Sequence, residues 1–84
     1  MVRVEFMPPL PRKIGFKEVY VKEKDFSKIL LELSGILKDL VDENGRVRGR
    51  YILLVNGRDY RVYTNIGVLS DNDTITIIPV IHGG

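Results

Sequence analysis

Hydrophobic positions change period several times along the chain, and the changes mark out its elements. Val2, Val4 and Phe6 alternate with Arg3 and Glu5, the period of two that a strand with one buried face requires. Residues 7–15 hold three prolines and a glycine. Proline cannot donate to a sheet ladder, so this stretch is expected to be a stiff loop. Alternation resumes over residues 16–22, with Val19 and Val21 on one side and Phe16, Glu18, Tyr20 and Lys22 on the other, which predicts a first hairpin. Asp25 is then placed to cap a helix. Phe26, Ile29, Leu30, Leu33, Leu37, Leu40 and Val41 recur at steps of three and four, an apolar stripe that faces a sheet. Ser34-Gly35 interrupts the good helix formers, and a helical glycine costs about 1 kcal/mol relative to alanine. A bend, or a break into two helices, is expected there.

Asp42-Glu43-Asn44-Gly45 reads as a turn, with Asn-Gly supplying positive φ angles. Arg46, Arg48 and Arg50 follow at alternate positions, a spacing that would put all three on one face of an extended segment. They read as a solvated edge, with a partner-docking patch as the alternative. Residues 51–55, YILLV, form a near-continuous apolar run typical of a central strand. Asn56-Gly57 signals a hairpin into a further short strand over residues 58–62. Residues 63–68 are ambiguous between loop and edge element, and Leu69 is expected to plug the core before the turn at residues 70–73. Thr74-Ile75-Thr76-Ile77 opens the last strand, a β-rich run extending to Val80.

Composition narrows the class. Eighty-four residues make one domain with one modest core. Hydrophobic content of 44% and charged content of 29% describe an ordinary globule. No apolar run approaches the ~18 residues of a spanning helix, and residues 1–4 lack the apolar core of a signal peptide, so no membrane association and a cytoplasmic location are expected. The net charge of +2 comes from 13 basic and 11 acidic residues, interleaved for most of the chain, which gives little support for nucleic-acid binding. Cysteine is absent, so disulfides, thiolate metal ligands and a cysteine nucleophile are excluded.

The distinctive chemistry lies at Pro79-Val80-Ile81-His82-Gly83-Gly84. A diglycine has no Cβ atoms and can extend into a channel too narrow for other residues, presenting the α-carboxylate of Gly84. The competing reading is a frayed end that happens to finish in two glycines. Other candidates are weaker. Asp71, Asn72 and Asp73 resemble the start of a calcium loop, but no glycine or distal glutamate follows at the required spacing, and no metal is expected. His82 is the one histidine; it could assist chemistry at the terminus or be a spectator in a flexible tail. Tyr20, Tyr51, Tyr60 and Tyr63 read as packing residues with polar tips. No phosphate-binding glycine loop, catalytic triad or carboxylate pair can be assembled, so the chain is not expected to be an enzyme in its own right.

Three motifs carry a family resemblance. Asp42-Glu43-Asn44-Gly45 enters a strand; Leu54-Val55-Asn56-Gly57 runs from strand into turn; and a closing block combines Leu69, Asp71, Asp73, Ile75 and Pro79 with Gly83-Gly84. Together they resemble the ubiquitin-like β-grasp sulfur carriers, the family of the small subunit of molybdopterin synthase and the thiamine sulfur carrier. The first motif and the longer helical region are closer to the molybdopterin branch. The chain departs from that branch in the Val80-Ile81-His82 that follows Pro79 and in its proline-rich first loop.

The resemblance implies an α+β, ubiquitin-like β-grasp fold: a mixed sheet of four to five strands packed on one main helix, with a second short helix. It implies a body over residues 1–80 and a flexible diglycine tail over 81–84. It also implies that Gly84 is adenylated by a ubiquitin-activating-like enzyme that consumes ATP, and is converted to a thiocarboxylate with no bound cofactor. Ile81, His82 and Gly83 then form the tail, and Ile78, Pro79 and Val80 sit where a partner docks, although ordinary core packing is an equal reading of Ile78. The acceptor is expected to be the large subunit of molybdopterin synthase or another sulfur acceptor, in thiamine synthesis or tRNA thiolation. Two alternatives remain open: conjugation of Gly84 to target lysines as a protein modifier, and a binding module with an inert tail.

Overall fold

The opening alternation becomes strand β1 (Val2–Phe6) in a computed structural model that describes residues 1–81. Val2, Val4 and Phe6 are almost fully buried, whereas Arg3 and Glu5 face the other side. β1 pairs antiparallel with β2 (Glu18–Val21), Val4 opposite Val19, which is the hairpin expected. Phe16 precedes this strand rather than sharing its outward face. It meets the core-facing Phe6 edge-to-face, with ring centroids 5.7 Å apart.

Between these strands the chain is not a plain loop. Residues Leu10–Ile14 form a short helix, α1. Proline at the start of a helix removes only an amide hydrogen that would have no intrahelical partner, so Pro11 is accommodated in the first turn. Gly15, at φ 94°, closes the helix by donating its N–H to the Pro11 carbonyl. Leu10 is buried and anchors the turn to the core.

Helix α2 (Phe26–Leu33) begins where Asp25 was expected to cap it: the carboxylate accepts the Lys28 N–H at 3.2 Å. Phe26, Ile29, Leu30 and Leu33 are buried against the sheet. The helix ends at Ser34-Gly35, but no second helix follows. Residues 35–40 are successive tight turns, and a Cβ on Gly35 would lie 3.2 Å from the Glu32 carbonyl. These turns still deliver Leu37 and Leu40 to the core. The second helix of the fold is therefore α1, not a continuation of α2.

After the Asp42–Gly45 turn, where Asp42 accepts the amide hydrogens of Asn44 and Arg46, residues 46–50 run through turns. Their one bridge pairs Val41 with Val47. The three arginines are exposed but do not line the face of a regular strand. β3 (Tyr51–Val55) buries Tyr51, Leu53 and Val55, while Ile52 is exposed; the apolar run hid a two-sided strand. Asn56 and Gly57, at φ 53° and 83°, make the expected hairpin turn. The next strand, β4, stops after Arg58–Asp59. The Asp59 carboxylate accepts the Arg61 N–H and draws the chain into a 3-10 turn over Tyr60–Val62, because a local side-chain acceptor competes with the ladder. Leu69 does plug the core.

The closing strand β5 (Thr74–Pro79) lies between β1, to which it is parallel, and β3, to which it is antiparallel. The sheet order is β2-β1-β5-β3-β4, with α2 across one face, the mixed β-grasp arrangement. Among the described residues no helix is long and apolar enough to cross a membrane.

The core makes a sharp contrast testable. Leu40 is 0% exposed and Leu31 on α2 is 66% exposed. Leu40→Ala should cost about 2–5 kcal/mol in urea unfolding, and Leu31→Ala less than about 0.5 kcal/mol. Equal losses would contradict this assignment of the core.

Candidate functional site

The end of β5 is set by its neighbours on both sides. Ile77 accepts the Met7 N–H at 3.0 Å on the β1 side, and Pro79 stands opposite Tyr51 on the β3 side. The Val80 N–H then donates to the Arg50 carbonyl at 2.8 Å, carrying the pairing one residue past the strand. Ile81 is 72% exposed. The segment that follows β5 thus departs from the middle of the sheet. His82, Gly83 and Gly84 lie outside the described residues.

Along β5, side chains alternate between two faces. Ile75 and Ile77 are completely buried beneath α2, whereas Thr74, Thr76 and Ile78 point to the uncovered face. Ile78 is half-buried and opposite the exposed Ile52, and Leu54 stands opposite Thr76 on the same face. Ile78 therefore is not part of the core under the helix. Its partner Ile52 was missed in the sequence, because a run of five apolar residues gives no alternation from which to read a second face. Pro79 and Val80 are also half-buried at the sheet end.

A polar cluster braces this end. Asp39 accepts hydrogen bonds from the Tyr51 hydroxyl at 2.5 Å and from the Arg50 guanidinium at 2.6 Å. Arg50 is the residue whose carbonyl holds Val80, so Asp39 is linked to the root of the tail through one residue. The Tyr51 hydroxyl and then Arg50 hold the Asp39 carboxyl below its usual range. Burial, reinforced by Asp39, pushes the Tyr51 phenol up to about 12. Asp39 had no signal in the sequence: its partners are 11 and 12 residues away.

The other candidates have structural uses. Asp73 accepts from the Ser70 N–H and from Asn56, and Asp71 pairs with Lys24 at 3.1 Å. Tyr60 stacks on Phe26, and the Tyr63 hydroxyl donates to the Val55 carbonyl. Tyr20 instead stands 55% exposed on the open side of the sheet.

No protein-family model matches the chain, and no curated protein matches it. Solved structures do. The chain is 31% identical to Urm1 of Sulfolobus solfataricus, with 93% of this chain and 99% of that one covered at a TM-score of 0.80. The matching chain in the BexX/CysO complex of Amycolatopsis orientalis is 28% identical, with 100% of each chain covered and a TM-score of 0.78. The small archaeal modifier protein 1 (SAMP1) of Methanosarcina acetivorans is 26% identical, with 99% of this chain and 95% of that one covered and a TM-score of 0.77.

The brace has a pH signature. The folded pKa of Asp39 is depressed, so its contribution is complete above about pH 4 and is lost as the pH falls through the folded value. That of Tyr51 is raised, so its contribution is complete below about pH 10 and is lost as the pH rises toward about 12. In urea unfolding, the deficit of Asp39→Asn should be widest near neutrality and narrow in acid, and Tyr51→Phe should weaken the alkaline fall. A deficit independent of pH in both variants would show that the cluster does not act as this charge-assisted brace.

Proposed function

Because the chain belongs to the ubiquitin-like β-grasp family of small sulfur carriers and modifiers, we propose that it carries sulfur on Gly84 as the substrate of larger enzymes. The observation that supports this most directly is the central position of β5. A segment leaving the middle of a rigid sheet is aimed by pairing on both sides, while the glycines beyond it can thread a narrow channel.

A carboxylate is a poor electrophile. In the proposed reaction the Gly84 carboxylate oxygen attacks the α-phosphate of ATP on a ubiquitin-activating-like enzyme, forming the acyl adenylate and releasing pyrophosphate. Hydrosulfide then attacks the carbonyl carbon; a C–S bond forms, the C–O bond to AMP breaks, and the thiocarboxylate, AMP and a proton result. The folded body supplies binding energy remote from the reacting carbon. Ile78 and Ile52 on the open face, with Pro79 and Val80 beside them, supply an apolar contact next to the emerging tail. Ile81, His82 and Gly83 span the distance to the reaction centre, with His82 assigned no step.

The likeness of the Asp42–Gly45 turn to the molybdopterin branch makes the large subunit of molybdopterin synthase the proposed acceptor. Acceptors in thiamine synthesis or tRNA thiolation would use the same thiocarboxylate. The similarity to small archaeal modifier protein 1 supports a second outcome for the same intermediate. If a lysine amine attacks instead of hydrosulfide, AMP again leaves and an isopeptide bond forms.

Intact mass spectrometry after incubation with ATP, hydrosulfide and an activating enzyme from the same cell should show one oxygen replaced by sulfur, and deleting Gly84 should abolish the change. Replacing Ile52 and Ile78 together by alanine should raise KM for activation about tenfold with kcat unchanged. No mass change with any activating enzyme of that cell would reject the carrier reading in favour of an inert tail. Lysine-linked adducts that depend on Gly84 would establish conjugation.

A further inference from the structure

A groove of about 570 Å³ opens beside α1, lined in part by Ile14 and Phe16 on one side and by Ile36, Lys38 and Asp39 on the other, with Lys13 on its rim. Its volume lies within the roughly 300–1,000 Å³ of ordinary ligand pockets. Phe16 is 39% exposed and Ile36 half-buried, so apolar surface remains open to solvent. The groove also lies near the root of the tail. Phe16 packs on Phe6, whose strand partner is Ile77, and Asp39 holds Tyr51 and Arg50, which pair with Pro79 and Val80.

The charge around this apolar floor is one-sided. Lys13 and Lys38 are exposed and form no ion pair among the described residues. Arg12 is exposed next to Lys13 in α1. The lining contains one carboxylate, Asp39, and each of its oxygens accepts a hydrogen bond, one from Tyr51 and the other from the Arg50 guanidinium that pairs with its charge. An apolar side chain entering the groove would therefore bring its neighbours against the ammonium groups of Lys13 and Lys38, while the one carboxylate of the wall is offset by Arg50. Charges so arranged favour acidic partners, repel basic ones and act mainly through encounter rate and specificity.

We propose that this groove docks a segment of the protein that acts on the tail, a segment in which a bulky apolar side chain is flanked by carboxylates. The inference rests on the carrier reading for the identity of that protein, but the groove can be tested without it. Docking here would grip the body beside the strand that aims the tail, on a surface distinct from the open sheet face of Ile52 and Ile78. Its electrostatic part weakens with salt, because exposed charges are screened over about 8 Å at physiological ionic strength.

Two measurements decide it. In the first, the isotope-labelled full chain is titrated with a short synthetic peptide carrying one phenylalanine between aspartates and glutamates, and with a counterpart in which the acids are lysines. The acidic peptide should shift the amide signals of Ile14, Phe16, Ile36 and Lys38, with an affinity of about 1 mM or tighter, and the lysine peptide should not. Shifts confined to Ile52 and Ile78, equal shifts with both peptides, or no shifts would overturn the proposal. Binding seen only after removal of residues 81–84 would identify the tail itself as the occupant and also overturn it.

In the second, the Lys13→Glu/Lys38→Glu variant is compared with the unaltered chain in the activation assay. Both sites are exposed, so the unfolding midpoint should be retained, and KM should rise about tenfold at low salt with kcat unchanged, the difference shrinking as salt is added. Activation of the unaltered chain with no KM difference would reject the groove as the docking site and leave the carrier reading standing. Failure of the unaltered chain to be activated would reject the carrier reading, and the peptide titration would then decide the groove alone.

Discussion

Parallel pairing between the first and last strands is the constraint on which the rest of the molecule depends. Arg3 stands opposite Thr74 and Phe6 opposite Ile77, so almost the whole chain must be laid out between two neighbours in the sheet. A parallel pair cannot be joined by a tight turn. Here the connection contains β2, both helices and the β3–β4 hairpin. It places β2 and β4 at the edges and leaves β1 and β5 inside. The interior strands point Val2, Val4, Ile75 and Ile77 to one side, where all are completely buried. α2 is the element that covers them, and its apolar stripe is the sequence-level counterpart of that requirement.

Covering one face leaves the other open, and the two faces differ in composition. The open face is polar towards β2, where Arg3 bonds Glu18 at 2.9 Å and also pairs with Glu5. Towards β3 it becomes apolar, with Ile52 opposite Ile78. Antiparallel strands with one solvated face normally alternate apolar and polar residues, and β5 does so at Thr74 and Thr76 before breaking the rule at Ile78. That departure occurs at the end of the strand from which the tail leaves. It is the kind of local inconsistency that sites show when a residue serves something other than folding.

Much of this was legible in the sequence, and what was not has identifiable physical causes. Period-two alternation located β1 and β5, the threefold and fourfold spacing located α2, and Asn56-Gly57 located its hairpin, because each signal is local. The proline-rich loop became α1 because a short helix can begin on proline as readily as a loop can contain it. The β4 strand was read too long because Val62 looks like a strand residue while the Asp59 side chain, which ends the strand, acts through a hydrogen bond invisible in composition. The Asp39–Arg50–Tyr51 cluster depends on a segment of turns that returns to the start of β3. Only tertiary structure brings those groups together. At the candidate site, Ile78, Pro79 and Val80 were proposed from the family resemblance, whereas the place of Ile52 opposite Ile78 and the groove beside α1 became visible only from the sheet register and the path of residues 36–39.

The body and the tail divide a single physical problem between them. In the proposed role, a diglycine end gains from lacking side chains when it enters a narrow channel, but two glycines offer a partner almost nothing to recognise. On that proposal, recognition has to come from surfaces fixed relative to the end of β5, and rigidity there determines how much of their binding energy helps to position the Gly84 carboxylate. Asp39 ties these requirements together. The hydrogen bonds it accepts from Arg50 and Tyr51 brace the backbone that receives Val80, and the ion pair with Arg50 offsets the one carboxylate in the wall of the groove, so that Lys13 and Lys38 give the lining its positive charge. A single side chain thus braces the end of β5 and forms part of the groove wall, so in the proposed reading the geometry of β5 and the electrostatics of the groove are coupled through Asp39.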